Sequence, residues 1–208
     1  MGFWTEHVVP RVTDRSLSIP EVAQLRSVVC AGLDGRVLEI GFGSGLNLPH
    51  YPAEVIQGDA VEPSDLAWQM SARRRAGSRA PVERTGQDAQ RLAAADEQYD
   101  AVLSTFTLCT IPDVERALRE VRRVLRPGGS FHFLEHGLAP DRRVQRWQHR
   151  LEPAQRRLFG GCHLSRDVPG LVAAAGLDVT EVTASYLPGP RVSRPWAHGF
   201  VGAARRAR

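Results

Sequence analysis

The chain has 208 residues and a formal net charge of +4, with 42% hydrophobic and 24% charged residues. These values suit one globular domain with a sizeable core, and they exclude disordered, collagen-like and disulfide-scaffold classes. All 27 basic residues are arginines. This excludes chemistry that needs a lysine, such as Schiff-base catalysis or a Walker A phosphate loop.

Three cysteines, Cys30, Cys109 and Cys162, lie far apart in the sequence. A low, odd number of this kind indicates reduced thiols, and because there is no C-x-x-C pair we predict no zinc or other metal site. We find neither the apolar stretch of a signal peptide nor a run of about 18 apolar residues that would span a membrane. We therefore expect a cytoplasmic protein without a membrane anchor.

The arginines concentrate at 142–157 and 205–208. Aromatic residues do not alternate with them, as they do in grooves that bind single-stranded nucleic acids. We interpret these arginines as solvated helix surfaces and expect no nucleic-acid partner, with a polyanion-binding patch as the alternative.

Strand and helix patterns alternate along the chain. An apolar stripe predicts a helix over 18–31, and apolar runs predict strands at 36–40, 55–61, 81–85, 99–104 and 130–134. Further helices are predicted at 64–75, at 113–126 before a Pro-Gly-Gly turn, at 142–157 with an interruption at Pro153, and at 167–175. The last strands are expected at 177–186 and 198–203. This order predicts an α/β fold with a parallel sheet and helices on both faces.

The connection after the first strand is unusually short. Nine residues, including Pro49 and Pro52, separate Gly45 from Val55, whereas a parallel crossover usually needs about a dozen. We therefore predict a short or broken helix, with Pro49 in its first turn.

A glycine-rich loop follows the first strand, in the segment VLEIGFGSG at 37–45. Glycines let the backbone turn tightly and approach a ligand, which places a nucleotide-like cofactor at the carboxyl end of the sheet. Glu62 follows the second strand, where a carboxylate accepts hydrogen bonds from ribose hydroxyls, and Asp59 is the competing acid. The glycine spacing departs from the dinucleotide pattern. Two acidic residues, Glu39 and Glu62, beside a glycine loop suit a positively charged cofactor better than one with phosphates. These features therefore favour S-adenosylmethionine over NAD.

These segments resemble the class I S-adenosylmethionine-dependent methyltransferases. VLEIGFGSGLN at 37–47 resembles their first motif, VEPS at 61–64 the second, and GQDAQRL at 86–92 the adenine-binding segment. The segments 99–113 and 118–137 resemble the fourth motif and the helix, turn and fifth strand. The resemblance implies a Rossmann-like, mostly parallel seven-stranded sheet whose last strand is antiparallel.

A narrower resemblance, to the methyltransferase-like 7 family of thiol S-methyltransferases, comes from the rest of the chain. NLPHYP at 47–52, FLEHG at 133–137, GGCHLSRD at 160–167 and YLPGPR at 186–191 carry it. It implies methyl transfer to a small-molecule acceptor, most simply a thiol. The apolar N-terminal anchor of the eukaryotic members is absent from this sequence, so their membrane location does not carry over.

The resemblance divides the single domain 1–208 into three parts and assigns residues to them. An N-terminal helical cover at 1–32 precedes the cofactor-binding core at 33–137, and acceptor-side helices and closing strands follow at 138–208. His136 is the candidate catalytic base, with a structural histidine as the alternative. The predicted cofactor-binding residues are Glu39, Gly41, Gly43, Gly45, Asn47, Glu62, Pro63, Asp88, Ala89, Thr105 and Cys109. The predicted acceptor-site residues are Tyr51, Trp147, Cys162 and His163.

Other interpretations stay open at this point. Trp147 and Trp196 also suit a core, and Cys162 suits a small buried hydrophobe. The alternative activities are methylation of oxygen or carbon on a quinone-pathway or lipid acceptor, NAD(P)-dependent oxidoreduction, and cofactor binding without catalysis. The identity of the acceptor and the oligomeric state leave no signal in the sequence.

Overall fold

The structure, a computed structural model, describes residues 4–208, so the first three residues of the predicted N-terminal cover lie outside the described part. Seven strands form one sheet in the order β3-β2-β1-β4-β5-β7-β6. Their bounds are β1 Gly35–Ile40, β2 Val55–Val61, β3 Val82–Gly86, β4 Tyr99–Thr105, β5 Leu125–His136, β6 Leu177–Tyr186 and β7 His198–Arg206.

Helices connect the strands and cover both faces of the sheet. They are α1 Val9–Leu17, α2 Pro20–Cys30, α3 Asp65–Met70, α4 Ala72–Ala76, α5 Val114–Val124, α6 Arg142–Leu158, α7 Val168–Ala174 and α8 Arg194–Ala197. A π-helical turn, Trp4–Val8, and two 3₁₀ turns, Leu48–His50 and Arg191–Ser193, complete the described elements. None of the helices in the described chain is long and apolar enough to cross a membrane.

The topology confirms the expected sheet. Strands β1 to β5 pair in parallel, and β7 pairs antiparallel with β5 on one side and β6 on the other. The chain moves outward from β1 to β3 and then returns to place β4 on the other side of β1. The loops after β1, β2, β4 and β5 therefore meet at one edge of the sheet, around the point where the strand order reverses.

Each sheet face packs against helices through alternate residues of the strands. On β4, Val102 belongs to the core that includes Leu118 of α5, while Leu103 belongs to the core that includes Val29 of α2. All these side chains are almost fully buried, and burying such a side chain stabilises the fold by roughly 1.5–3 kcal/mol. This two-sided burial explains why most residues of the central strands are apolar.

Local signals explain several element boundaries. The short crossover after β1 is a single 3₁₀ turn that contains Pro49, as predicted. Asp113 and Asp167 cap α5 and α7, because their side chains accept hydrogen bonds from backbone N–H groups in the first turn. Ser64 caps α3 in the same way, but the predicted helix over 64–75 divides at Ser71 into α3 and α4.

Two predictions about proline-containing segments were wrong. The segment 126–129, predicted as a turn outside the sheet, belongs to β5, because Leu125 pairs with Tyr99 before the register shifts. The register shift leaves additional residues on β5 opposite β4. Gly128, one of these, has a φ of +80°, a conformation that glycine adopts readily. Helix α6 runs through Pro153 without interruption.

Candidate active site

The glycine loop after β1 is organised around the carboxylate of Glu62. The backbone N–H of Gly43 donates to this carboxylate at 2.6 Å, and the N–H of Ser64 donates at 2.7 Å. Gly41 and Gly43 have φ values of +70° and +59°, which explains why glycines occupy them. A Cβ on Gly43 would meet its nearest heavy atom only at 3.9 Å, so the loop leaves open space in front of Gly43.

Of the two acids on β2 and its end, Glu62 is the one directed at the loop. Glu62 is buried, which raises its pKa, although hydrogen bonds from Ser64 and Gly43 oppose this shift. Asp59 instead accepts from Arg36 at 2.6 Å and from the Tyr99 hydroxyl at 2.7 Å. Asp59 is therefore committed to the fold, and Glu62 stays the candidate ligand for a ribose.

A buried polar network lies beneath the loop. The Asn47 amide donates to Glu39 at 2.8 Å and to the Thr105 hydroxyl at 2.9 Å, and the Tyr51 hydroxyl donates to Glu39 at 2.7 Å. Arg26 donates to Asn47 at 2.6 Å and to Thr105 at 3.0 Å. The structure thus brings Glu39, Asn47 and Thr105 together, and it adds Arg26, which the sequence did not single out.

The environment of the Glu39 carboxyl group changes its pKa. Burial raises its pKa to about 7, although the hydrogen bonds from Tyr51 and Asn47 oppose this shift. A positively charged ligand nearby would favour the ionised form. Tyr51, predicted to face the acceptor, contacts Glu39 instead and so lies on the cofactor side.

The remaining predicted cofactor residues lie around the same edge. Asp88, in the loop after β3, is exposed and accepts from the backbone and side chain of Gln90, each at 2.9 Å. These hydrogen bonds lower the pKa of Asp88. Pro63 is exposed, and Ala89 is buried in the core.

A second cluster, formed by Cys109, His136 and Cys162, lies at the ends of β4 and β5. His136 Nε2 is 3.2 Å from Cys162 Sγ, and one potential ligand atom from each of the three residues lies within 4.8 Å of the others. The pKa of Cys162 is lowered because the Cys109 thiol donates to its sulfur and His136 lies beside it. The same hydrogen bond and burial raise the pKa of Cys109. His136 Nδ1 is buried without a hydrogen-bond partner among the described residues.

Two charged residues, the buried Glu135 and the partly buried Arg166, fix the loop that carries Cys109. The carboxylate of Glu135 accepts from the backbone N–H groups of Thr107, at 3.0 Å, and Leu108, at 3.1 Å. Arg166 donates to the backbone carbonyls of Leu108 and Ile111. Sequence patterns did not indicate either residue, because neither lies in the glycine loop and neither is the acidic residue that follows β2.

Residues 38–133 match the family model described as "Methyltransferase domain". This part of the chain is therefore similar to a methyltransferase domain. The match covers β1 to most of β5 and so includes the glycine loop, Glu62 and the loop after β4.

Similar proteins have related names but different acceptors. The chain is 36% identical over 145 residues to human "Thiol S-methyltransferase TMT1A", an alignment that covers 66% of this chain and 58% of that protein. It is 35% identical over 159 residues to "Demethylmenaquinone methyltransferase" of Roseiflexus sp., covering 74% of this chain and 59% of the relative. The chain thus spans less than two thirds of the length of both relatives.

A solved structure with the same architecture is a SAM-dependent methyltransferase from Thermotoga maritima. The two chains are 22% identical and superpose with a TM-score of 0.68, covering 99% of this chain and 100% of the other. The Rossmann-like methyltransferase fold predicted from the sequence is confirmed.

The residues present at this edge of the sheet fit S-adenosylmethionine as a cofactor. The open space at Gly43 admits close approach of a ligand to the backbone. The carboxyl groups of Glu39 and Glu62 border the loop, and their charge suits a ligand that carries an ammonium and a sulfonium group. Glu62 would hold the ribose, and the network around Glu39 and Asn47 would hold the amino acid end.

A narrow cleft of about 20 Å³ opens beside the cluster of Cys109, His136 and Cys162. His136 lines it, and most of the other walls are apolar side chains from α2, the end of β4 and the closing segment: Leu25, Phe106, Leu134, Leu187, Trp196 and Val201. Of the predicted acceptor residues, Trp147 lies elsewhere, on α6, with 48% of its surface exposed. His163 also lies off the cleft, with Nδ1 2.9 Å from a carboxylate oxygen of Glu152.

Proposed function

We propose that this protein transfers the methyl group of S-adenosylmethionine to the sulfur of a small, largely apolar thiol. The observation that carries the proposal is the apolar cleft that meets the cofactor edge of the sheet at His136. The similarity to a protein named as a thiol S-methyltransferase supports the choice of sulfur.

The bound cofactor supplies a methyl group that its sulfonium already makes electrophilic. The protein's contribution is therefore to position the acceptor and to exclude water. Leu25, Phe106 and Trp196 provide apolar surface for an organic group. Holding a nucleophile in line with the methyl group in this way is worth roughly 7–11 kcal/mol of the barrier.

His136 is the residue we assign to contact the acceptor's sulfur. A free thiol has a pKa of about 8.5, so an activating group increases the thiolate fraction at neutral pH. The base role of His136 stays a prediction, and its Nε2 already contacts Cys162.

A second candidate is methylation of a carbon atom on a quinol ring. The similarity to a demethylmenaquinone methyltransferase favours it, and the aromatic side chains Phe106 and Trp196 are able to pack against a planar ring. The two candidates share the cleft and differ in the acceptor atom.

Incubation of the purified protein with methyl-labelled S-adenosylmethionine and matched panels of thiols, phenols and quinols tests the proposal. We expect methylated thiols, with KM values that fall as the thiol becomes more apolar. Trp196→Ala should raise these KM values, while Trp147→Ala, which alters an aromatic side chain outside the cleft, should leave them unchanged. Turnover of quinols without turnover of any thiol would refute the sulfur assignment.

A further inference from the structure

Three residues with metal-binding side chains come together, and one of them, His136, lines the cleft. Cys109 lies in the loop after β4, His136 ends β5, and Cys162 lies between α6 and α7. We propose that these three residues bind a zinc ion whose open fourth position receives the acceptor's sulfur. The zinc site stands on this cluster alone, whereas its use by an acceptor rests on the thiol methylation proposed above.

The geometry of the cluster suits a single tetrahedral ion. Zinc binds cysteine sulfur at about 2.3 Å and histidine nitrogen at about 2.0–2.1 Å, so the ligand atoms of a tetrahedral site with two sulfurs and one nitrogen lie roughly 3.6–3.8 Å apart. His136 Nε2 and Cys162 Sγ are 3.2 Å apart, and ligand atoms of all three residues lie within 4.8 Å of one another. Side-chain shifts of about 1 Å therefore complete the site.

The composition of the cluster matches a catalytic rather than a structural zinc site. Two cysteines and one histidine leave one of four positions open, as catalytic zinc sites do, whereas structural sites close all four. Two thiolates also balance the charge of the ion, so the buried site carries no net charge. His136 lines the cleft, which gives the open position a route to the acceptor.

A hydrogen-bond relay behind Cys162 prepares its sulfur to be a ligand. The indole N–H of Trp196 donates to the side-chain oxygen of Gln155 at 3.0 Å. Because that indole is only a donor, the Gln155 oxygen must face it. The Gln155 amide nitrogen then points to Cys162 Sγ at 3.6 Å. The relay therefore offers a hydrogen-bond donor to this sulfur, as partners of metal ligands do.

The backbone around the cluster is held from several directions. Glu135 and Arg166 fix the loop before and after Cys109, and the N–H of His163 donates to the Cys109 carbonyl at 2.9 Å. This last hydrogen bond joins the Cys109 loop to the residue after Cys162. The three ligands are thus pre-positioned by parts of the fold that do not themselves touch the ion.

The ion replaces a general base in the transfer. A thiol that coordinates zinc loses its proton to solvent, and its sulfur keeps the electron pair. That pair forms the new bond to the methyl carbon, while the bond from this carbon to the cofactor's sulfur breaks and leaves its electrons there. The products are a methyl thioether and S-adenosylhomocysteine. In this arrangement His136 is a neutral ligand beside the acceptor's sulfur, and the ion takes over the activating role that the proposed function gives to His136.

Zinc titration of the metal-stripped, full-length protein tests the site without any turnover. We expect about one zinc ion per chain by competition with a chromophoric chelator, and a thiolate-to-metal charge-transfer band when cobalt(II) replaces zinc. Cys162→Ser should weaken zinc binding about 100-fold or more, and Gln155→Ala about 10- to 100-fold. Cys30→Ala is the matched control, because Cys30 is a buried cysteine at the end of α2 that does not belong to the cluster. It should bind zinc as the unmodified protein does.

The outcomes separate the zinc site from the proposed function. No zinc binding, or equal binding by Cys162→Ser with unchanged circular dichroism, overturns the site. A stripped protein that methylates thiols at the full rate overturns the role of zinc and leaves thiol methylation standing. A protein that binds zinc through Cys162 but methylates no thiol supports the site and refutes the proposed function instead.

Discussion

Replacing Glu62 should weaken cofactor binding more than any other single change at the glycine loop. Its carboxylate accepts short hydrogen bonds from Gly43 and Ser64 and is the acid proposed to hold the ribose. A hydrogen bond to a charged group is worth about 1.5–3 kcal/mol, and water replaces part of that when the group is removed. We therefore expect Glu62→Ala to cost about 1.4–2.7 kcal/mol of binding free energy, a 10- to 100-fold loss of affinity.

The structure adds a stability cost to this substitution. Glu62 is only 6% exposed, so its removal leaves the N–H groups of Gly43 and Ser64 without their acceptor. Leaving a buried donor unpaired costs about 1–3 kcal/mol. Glu62→Gln keeps the shape and one acceptor oxygen, so it should bind the cofactor more tightly than Glu62→Ala.

Isothermal titration with S-adenosylhomocysteine measures the affinity, and thermal melting checks the fold. Asp65→Ala is the matched control, because Asp65 lies three residues further on and its side chain is 75% exposed, paired only with Arg84 among the described ion pairs. It should leave the dissociation constant unchanged. A folded Glu62→Ala protein with the same dissociation constant as the unmodified protein would refute the assignment of the ribose to Glu62.

Three further predictions concern the network, the adenine loop and the core. Burial raises the pKa of Glu39 from 4.5 to about 7, so its contribution to stability is complete below pH 4.5 and is lost as the pH rises through 7. The free energy of unfolding of the unmodified protein should fall by roughly 3 kcal/mol over that range, and Glu39→Gln should not show this fall. Urea denaturation of the cofactor-free proteins at a series of pH values measures the difference. Asp88→Ala should weaken cofactor binding by about 1 kcal/mol, and a titration that shows a larger loss than for Glu62→Ala would contradict the proposed ranking. Leu118→Ala should lower the free energy of unfolding by about 2–5 kcal/mol, because Leu118 is 0% exposed in the core, and an unchanged urea midpoint would contradict that packing.

The sheet was predictable because its signals are local. The bounds of β2 and β6 agree with the predicted 55–61 and 177–186, since both strands lie between clear turn residues. Helix α5 was predicted from its single apolar stripe, which is buried in the structure. The error at 126–129 arose because Pro-Gly-Gly indicates a turn locally, whereas the pairing of Leu125 with Tyr99 brings the segment into the sheet.

The candidate site was only partly predictable, because much of it depends on tertiary contacts. The glycine loop and Glu62 follow directly from the order strand, loop, strand. Arg26 could not be found in the same way, since an arginine in a helix is normally solvated and here its burial depends on Asn47 and Thr105. Cys109, His136 and Cys162 were each predicted as site residues, but the sequence did not indicate that they form one cluster, because they come from three separate loops and strand ends.

The position of β7 determines when the sheet can be completed as the chain is synthesised. Strand β7 is the last of the seven along the chain, yet it lies inside the sheet between β5 and β6. Until β7 leaves the exit tunnel, β5 and β6 both present unpaired backbone edges of the kind that promote aggregation. Strands β1 to β5 can assemble during synthesis, but the acceptor side closes only after translation has passed Arg206. Chaperone demand should therefore peak when the nascent chain has exposed β6 but not yet β7 and still has an open sheet.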